Sequence, residues 1–101
     1  MVANKSVEHY ICLNMIVRNE AETIEACLES VKDVVDYYVI VDTGSEDNTI
    51  EVIKNKMNEL GIEGEIHERT WRGFSPNRNE AYQLALGKSK YIFIIDADED
   101  L

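Results

Sequence analysis

Two aspartates one residue apart, Asp96-Ala97-Asp98, follow the apolar run Tyr91-Ile92-Phe93-Ile94-Ile95. At the end of a strand, where the chain begins to turn, carboxylates at i and i+2 can be aimed into one crevice. Two hard oxygen donors on so short a span suit Mg²⁺ or Mn²⁺, which keeps further coordination sites for water and phosphate oxygens. Such an ion would let an acidic surface hold a pyrophosphate, because it neutralises carboxylates and phosphates together and stabilises a leaving diphosphate. The competing reading is a solvated acidic tail continuing through Glu99 and Asp100. The buried strand expected just before the pair favours the metal.

Asp42 follows the β-rich stretch Tyr37-Tyr38-Val39-Ile40-Val41 and precedes Thr43-Gly44-Ser45. Held on a rigid strand end, its carboxylate can accept a hydrogen bond from a base or ribose; it can equally be an ordinary turn residue or helix cap. Arg18 and Arg78 stand near an expected strand end and helix start. Their planar forks suit a phosphate or a carbonyl edge, and the alternative is a salt bridge to Glu20 or Glu80. Trp71 and Phe74, in a loop containing Gly73 and Pro76, either stack on a base or pin the loop to the core. His9 and His67 receive no role. Cys12 and Cys27, fifteen residues apart with no nearby His, read as small buried hydrophobes and not as a disulfide or zinc site.

The elements that must position these groups alternate. Tyr10 to Val17 is a mostly apolar run suited to a buried strand, after which Asn19 can cap a helix from Glu20 to Val31, with Ile24, Cys27, Leu28 and Val31 on one face. Tyr37 to Val41 is a second strand. Asn48-Thr49 starts a helix with Ile50, Ile53, Met57 and Leu60 inward, and Gly61 is placed to end it. Glu65 to Glu68 is a weakly patterned strand, 69–76 an irregular loop, and Asn77 to Leu86 a helix stopped by Gly87. Tyr91 to Ile95 reads as the most clearly buried strand of all.

The order βαβαβαβ predicts an α/β fold with a mainly parallel sheet and flanking helices, Rossmann-like in arrangement. Ligands of such sheets bind beyond the carboxyl ends of the strands, where the strand order reverses. Arg18-Asn19, Asp42 and Asp96/Asp98 all fall at those ends. Neither Gly-x-Gly-x-x-Gly nor the P-loop signature occurs, so a dinucleotide site or P-loop is not supported.

The 101 residues, 45% apolar and 30% charged, bound the chain to one globular domain. Twenty Asp and Glu against ten Lys and Arg give a net charge of −10, which argues against nucleic acid and anionic membrane surfaces as partners. No apolar stretch approaches a membrane span and the N-terminus lacks a secretory core, so the reading is intracellular, soluble and cytoplasmic. An all-apolar final strand with nothing after it to cover it implies a fragment, a partner or a second copy; a homo-oligomer through an exposed sheet edge is one expectation.

In order, Met15-Ile16-Val17-Arg18-Asn19-Glu20, Val39-Ile40-Val41-Asp42-Thr43-Gly44-Ser45-Glu46-Asp47-Asn48-Thr49, Phe74-Ser75-Pro76-Asn77-Arg78-Asn79 and Ile94-Ile95-Asp96-Ala97-Asp98-Glu99 resemble the N-terminal half of a GT-A fold glycosyltransferase of family 2. The resemblance spans Ile11 to Leu101, and the Asp-Thr-Gly-Ser form is similar to the branch with bacterial peptide S-glycosyltransferases and cell-wall-type transferases. It implies a UDP-sugar donor whose uracil is hydrogen-bonded by Asp42, with Val17, Arg18, Asn19 and Glu20 lining base and ribose and Arg78 near base or diphosphate. Asp96 would touch the ribose or the metal shell, and Asp98 would ligate Mn²⁺ or Mg²⁺ directly. The family inverts the anomeric carbon with a carboxylate base from its C-terminal half. The sequence ends just after the metal motif, so the 1–101 nucleotide-sugar-binding domain is expected to be incomplete at its C-terminal end, with acceptor site and base outside it. Many members carry consecutive acids after the second strand; here Asp42 is followed by Thr43, leaving fewer carboxylates for the base. The alternative is a non-catalytic nucleotide-binding or protein-interaction module derived from that fold. A phosphoacceptor domain fits poorly, since no Lys follows on a later strand.

Overall fold

The computed structural model describes residues 9–97. The elements run β1 (His9–Val17), α1 (Ile24–Ser30), β2 (Tyr37–Asp42), α2 (Thr49–Leu60), β3 (Glu63–Glu68), α3 (Phe74–Ala85) and β4 (Ser89–Ile94). Among the described residues the strands form one sheet in the order β3-β2-β1-β4, and every pairing is parallel. The chain steps outward from β1 to β2 and β3, then returns across the sheet to place β4 on the other side of β1. The order therefore reverses at β1, and its carboxyl end is where such folds hold ligands.

The pleat divides each strand between two faces. Leu13, Met15 and Val17 of β1 and Tyr38 and Ile40 of β2 pack with Ile24, Cys27 and Leu28 of α1 and Ile53 and Met57 of α2. Cys12 and Val39 point the other way, toward Ala85 and Leu84 of α3. Each fully buried Leu or Ile side chain contributes roughly 1.5–3 kcal/mol relative to leaving it in water. Both cysteines are buried and free, as small hydrophobes are. Gly61 ends α2 at φ 73°, the left-handed conformation that glycine adopts without a Cβ penalty.

Several features depart from the sequence expectation. α1 begins at Ile24, not Glu20, because Asn19 takes φ 52° and the chain makes a separate turn closed by the Thr23 and Ile24 amides on the Glu20 carbonyl. Asn19 is thus not its cap. α3 begins at Phe74 and absorbs part of the expected loop; Pro76 is accommodated there because first-turn amides have no helical partner to lose. β4 is not the most buried strand: it pairs with β1 alone among the described residues, and Tyr91 and Ile94 are 52% and 49% exposed. Its apolar pattern belongs to an edge whose outer side meets no described residue.

Candidate functional site

Val17, Asp42 and Glu68 lie in one row across β1, β2 and β3, at the carboxyl end of the sheet. The row is tied by backbone bonds that continue past the strands: Thr43 N–H donates to the Val17 carbonyl at 3.0 Å and Arg69 N–H to the Asp42 carbonyl at 2.9 Å. Val17 is buried, its carbonyl also within reach of the Thr43 hydroxyl at 3.3 Å.

Asp42 is 2% exposed, and its two carboxylate oxygens do different things. Oδ1 accepts the amides of Gly44 and Ser45 at 2.9 and 2.8 Å, an Asx turn that explains the small residues after it. Oδ2 is buried and has no hydrogen-bond partner among the described residues. Burying an acceptor without a donor is costly, so Oδ2 has unused capacity to accept an N–H or O–H.

Beside this turn lies an open crevice of about 550 Å³ lined by Arg18, Thr43, Gly44, Glu68, Arg69, Thr70 and Trp71. Arg18 is exposed and forms no ion pair among the described residues, so the alternative pairing with Glu20 is not made. Trp71 is 45% exposed, on a loop that is fastened down around it. The buried Asn77 side chain accepts the Arg72 amide at 2.7 Å and donates to the Thr70 carbonyl at 3.1 Å. Glu80 pairs with Arg69 at 2.8 Å and Arg72 at 2.9 Å, and hydrogen bonding from Arg69 holds its carboxyl below the usual range.

Asn19 and Glu20 serve the loop itself. The Asn19 amide donates to Ser45 Oγ at 2.8 Å, the Glu20 amide to Thr49 Oγ1 at 2.9 Å and the Ala21 amide to Asp47 Oδ2 at 3.3 Å. The Glu20 carboxylate accepts the Thr23 hydroxyl at 3.0 Å.

Arg78, half-buried on the first turns of α3, donates from Nη2 to Asn14 Oδ1. Its expected alternative partner, Glu80, is taken by Arg69 and Arg72. Burial lowers the Arg78 pKa, and the attraction of Asp96 opposes that shift. Asp96 itself is exposed just past β4, with its carbonyl 3.6 Å from Cys27 Sγ. Asp98 lies outside the described residues. Among the described residues no three His, Cys, Asp or Glu side chains form a metal cluster. One or two carboxylates plus phosphate and water is the usual Mg²⁺ donor set, and the Asp96 carboxylate, exposed past the end of β4, is of that chemical type.

Sequence reasoning missed Asn14, Arg69 and Glu68. Asn14 carried a signal, being the lone polar residue between Cys12-Leu13 and Met15-Ile16-Val17. Arg69 and Glu68 carried none, since only the sheet register brings the end of β3 beside Asp42.

The parallel α/β sheet with a crevice at its carboxyl end matches a known family of proteins. The family model for Glycosyl transferase family 2 matches residues 12–100, so the chain belongs to that family. It is 41% identical over 91 residues to a TPR repeat-containing protein of Synechococcus elongatus, covering 90% of this chain and 21% of that protein. It is 35% identical over 94 residues to the SPbeta prophage-derived glycosyltransferase SunS of Bacillus subtilis, covering 93% of this chain and 21% of SunS. The chain thus spans about a fifth of the length of these curated relatives. In three dimensions it resembles glucosyl-3-phosphoglycerate synthase of Mycobacterium tuberculosis, crystallised with Mn²⁺, UDP and glucosyl-3-phosphoglycerate, at a TM-score of 0.60 and 19% identity; 94% of this chain and 35% of that one are covered. The same enzyme crystallised with Mg²⁺ and UDP gives a TM-score of 0.60 and 19% identity, over 94% of this chain and 34% of that one. The fold is the N-terminal half of a GT-A fold.

Proposed function

We propose that this chain forms the donor side of a metal-dependent, inverting glycosyltransferase that holds a UDP-sugar for transfer to an acceptor. The observation that carries the reading is the orphaned Oδ2 of Asp42 beside the crevice. An imide N–H of uracil is the donor it lacks, while Trp71 offers a face for the base and Arg18 a fork for a phosphate or base carbonyl. Asp96 and Asp98 would hold Mn²⁺ or Mg²⁺, which supplies charge neutralisation for the diphosphate as it leaves. Support comes from the family match and from neighbours of the same fold crystallised with UDP and either metal. In a chain of net charge −10 the positive groups of the donor site must be local: Arg18 directly follows β1, and Arg78, on the first turns of α3, is within electrostatic reach of Asp96.

The test is calorimetric titration of UDP and UDP-glucose into the chain with Mn²⁺ and with EDTA. Metal-dependent binding that is lost in Asp98→Ala is the expected result; equal heats with EDTA and in Asp98→Ala would refute the metal role, and no binding to the folded chain would refute the donor site. A second reading, an interaction module, is favoured by the exposed Tyr91 and Ile94 along β4. It requires a stable homo-oligomer without nucleotide affinity, which the mass in solution would reveal in the same samples.

A further inference from the structure

Asn14 sits in the middle of β1 with no solvent exposure, paired in register with Val39 and Ile94 and facing α3. A buried primary amide must place two N–H groups and one oxygen, and the surroundings dictate how. Nδ2 donates to the Val39 carbonyl at 2.9 Å and to the Ala81 carbonyl at 3.0 Å. Carbonyls only accept, so the nitrogen must face them and the oxygen must face away. What stands on the oxygen side is the Arg78 guanidinium, donating from Nη2.

We propose that Asn14 is the positioning residue for Arg78: it fixes the guanidinium against β1 without itself cancelling the positive charge that an anionic ligand would meet. The inference rests on the reading of Arg78 as a donor-binding group. The choice of amide over carboxylate is the physical point. An aspartate at position 14 would pair with Arg78 and neutralise it, and would repel the Val39 and Ala81 carbonyls. A leucine would leave the arginine without a fixed acceptor. Of these three side chains only the amide orients without neutralising, and its two N–H bonds tie β1 to β2 and to α3, so the arginine is referenced to the sheet and not merely to its own helix. Arg78 Nε is buried without a hydrogen-bond partner among the described residues, so the Asn14 oxygen is the acceptor that the structure gives this side chain.

The experiment is a double-mutant cycle on UDP affinity in Mn²⁺, using the chain, Asn14→Leu, Arg78→Met and the pair. A residue acting through Arg78 loses about tenfold on its own, the scale of one hydrogen bond to a charged group, and less than about twofold once Arg78 is gone. Equal losses in both backgrounds, or no loss in either, would overturn the proposal. Asn14→Ser replaces Asn14→Leu in the same cycle if the larger change fails to fold.

A second readout needs no nucleotide. In the unmodified chain the Arg78 side-chain N–H signals should be resolved by ¹⁵N NMR and protected from solvent exchange, and in Asn14→Ser they should lose that protection. Unchanged protection in Asn14→Ser overturns the proposal. If the unmodified chain binds no UDP, the donor reading fails by itself, and the guanidinium signals still decide whether Asn14 holds Arg78.

Discussion

Asn19 Oδ1 accepts the Glu46 amide at 2.7 Å across 27 residues of sequence, so that the turn after β1 clamps the turn after β2. The same oxygen lies 3.4 Å from the Asp47 amide, and the Asn19 amide returns a bond to Ser45. The clamp holds the turn in which Asp42 sits. It requires Asn19 at φ 52°, a conformation that asparagine tolerates better than most residues.

Asn19→Ala should therefore lose both the clamp and the conformational tolerance, destabilising the fold by about 2–3 kcal/mol. Asn19→Gly loses only the clamp and should cost about half as much. Urea denaturation of the two variants checks this; an alanine variant as stable as the glycine variant would remove the backbone argument.

Gly64 predicts a steric effect of the opposite origin. A Cβ there would lie 2.2 Å from the Tyr38 ring and 2.4 Å from the Tyr38 carbonyl oxygen. A ring can rotate away, but a strand carbonyl cannot. Gly64→Ala should cost about 1–3 kcal/mol in urea melts, and adding Tyr38→Ala should not restore the loss, because the backbone collision remains.

Glu65 links stability to acid pH. Burial would raise its pKa, but hydrogen bonds from Lys88, Tyr37 and His67 outweigh that and bring it from 4.5 down to about 2. The group is depressed in the folded state, so its stabilisation is fully present above pH 4.5 and is lost as pH falls toward 2. The contribution is up to about 3 kcal/mol. Stability of the chain should fall over that window, and Glu65→Gln should flatten the fall when urea midpoints are compared from pH 6 to pH 2.5.

Much of this architecture was legible from the sequence because local pattern and global position agree in it. Leu13, Met15 and Val17 alternate with Cys12 and Asn14, Gly61 terminates α2, and the carboxyl-end placement of Asp42 follows from strand order alone. Most of the misreadings share a cause: they depend on which element becomes a neighbour. Asn19 looks like a helix cap until Glu46 is found opposite it. Tyr91-Ile92-Phe93-Ile94 looks central, yet among the described residues β4 pairs on one side only. Asn14, passed over within the apolar run, acquires a partner only when Arg78 arrives from 64 residues away. Phe74 looks like loop because Pro76 suggests a break, although a first helical turn has no bond there for proline to lose.

The division of labour within Asp42 gives the sharpest prediction. Asp42→Asn keeps an acceptor at the Oδ1 position for the Gly44 and Ser45 amides, so the Asx turn and the fold should survive with a change within about 1 kcal/mol. It replaces Oδ2 by an N–H₂ group, which turns the buried orphan acceptor into a donor facing the ligand's donor. UDP affinity should fall at least tenfold, whereas affinity for inorganic pyrophosphate with Mn²⁺, which has no base to recognise, should not change. Asp42→Ala removes the turn as well and should lower stability by about 1–2 kcal/mol besides abolishing base recognition. Calorimetry with both ligands, beside urea melts of both variants, separates the two oxygens. Equal loss of UDP and pyrophosphate in Asp42→Asn would mean that Oδ2 acts on the site as a whole and not on the base.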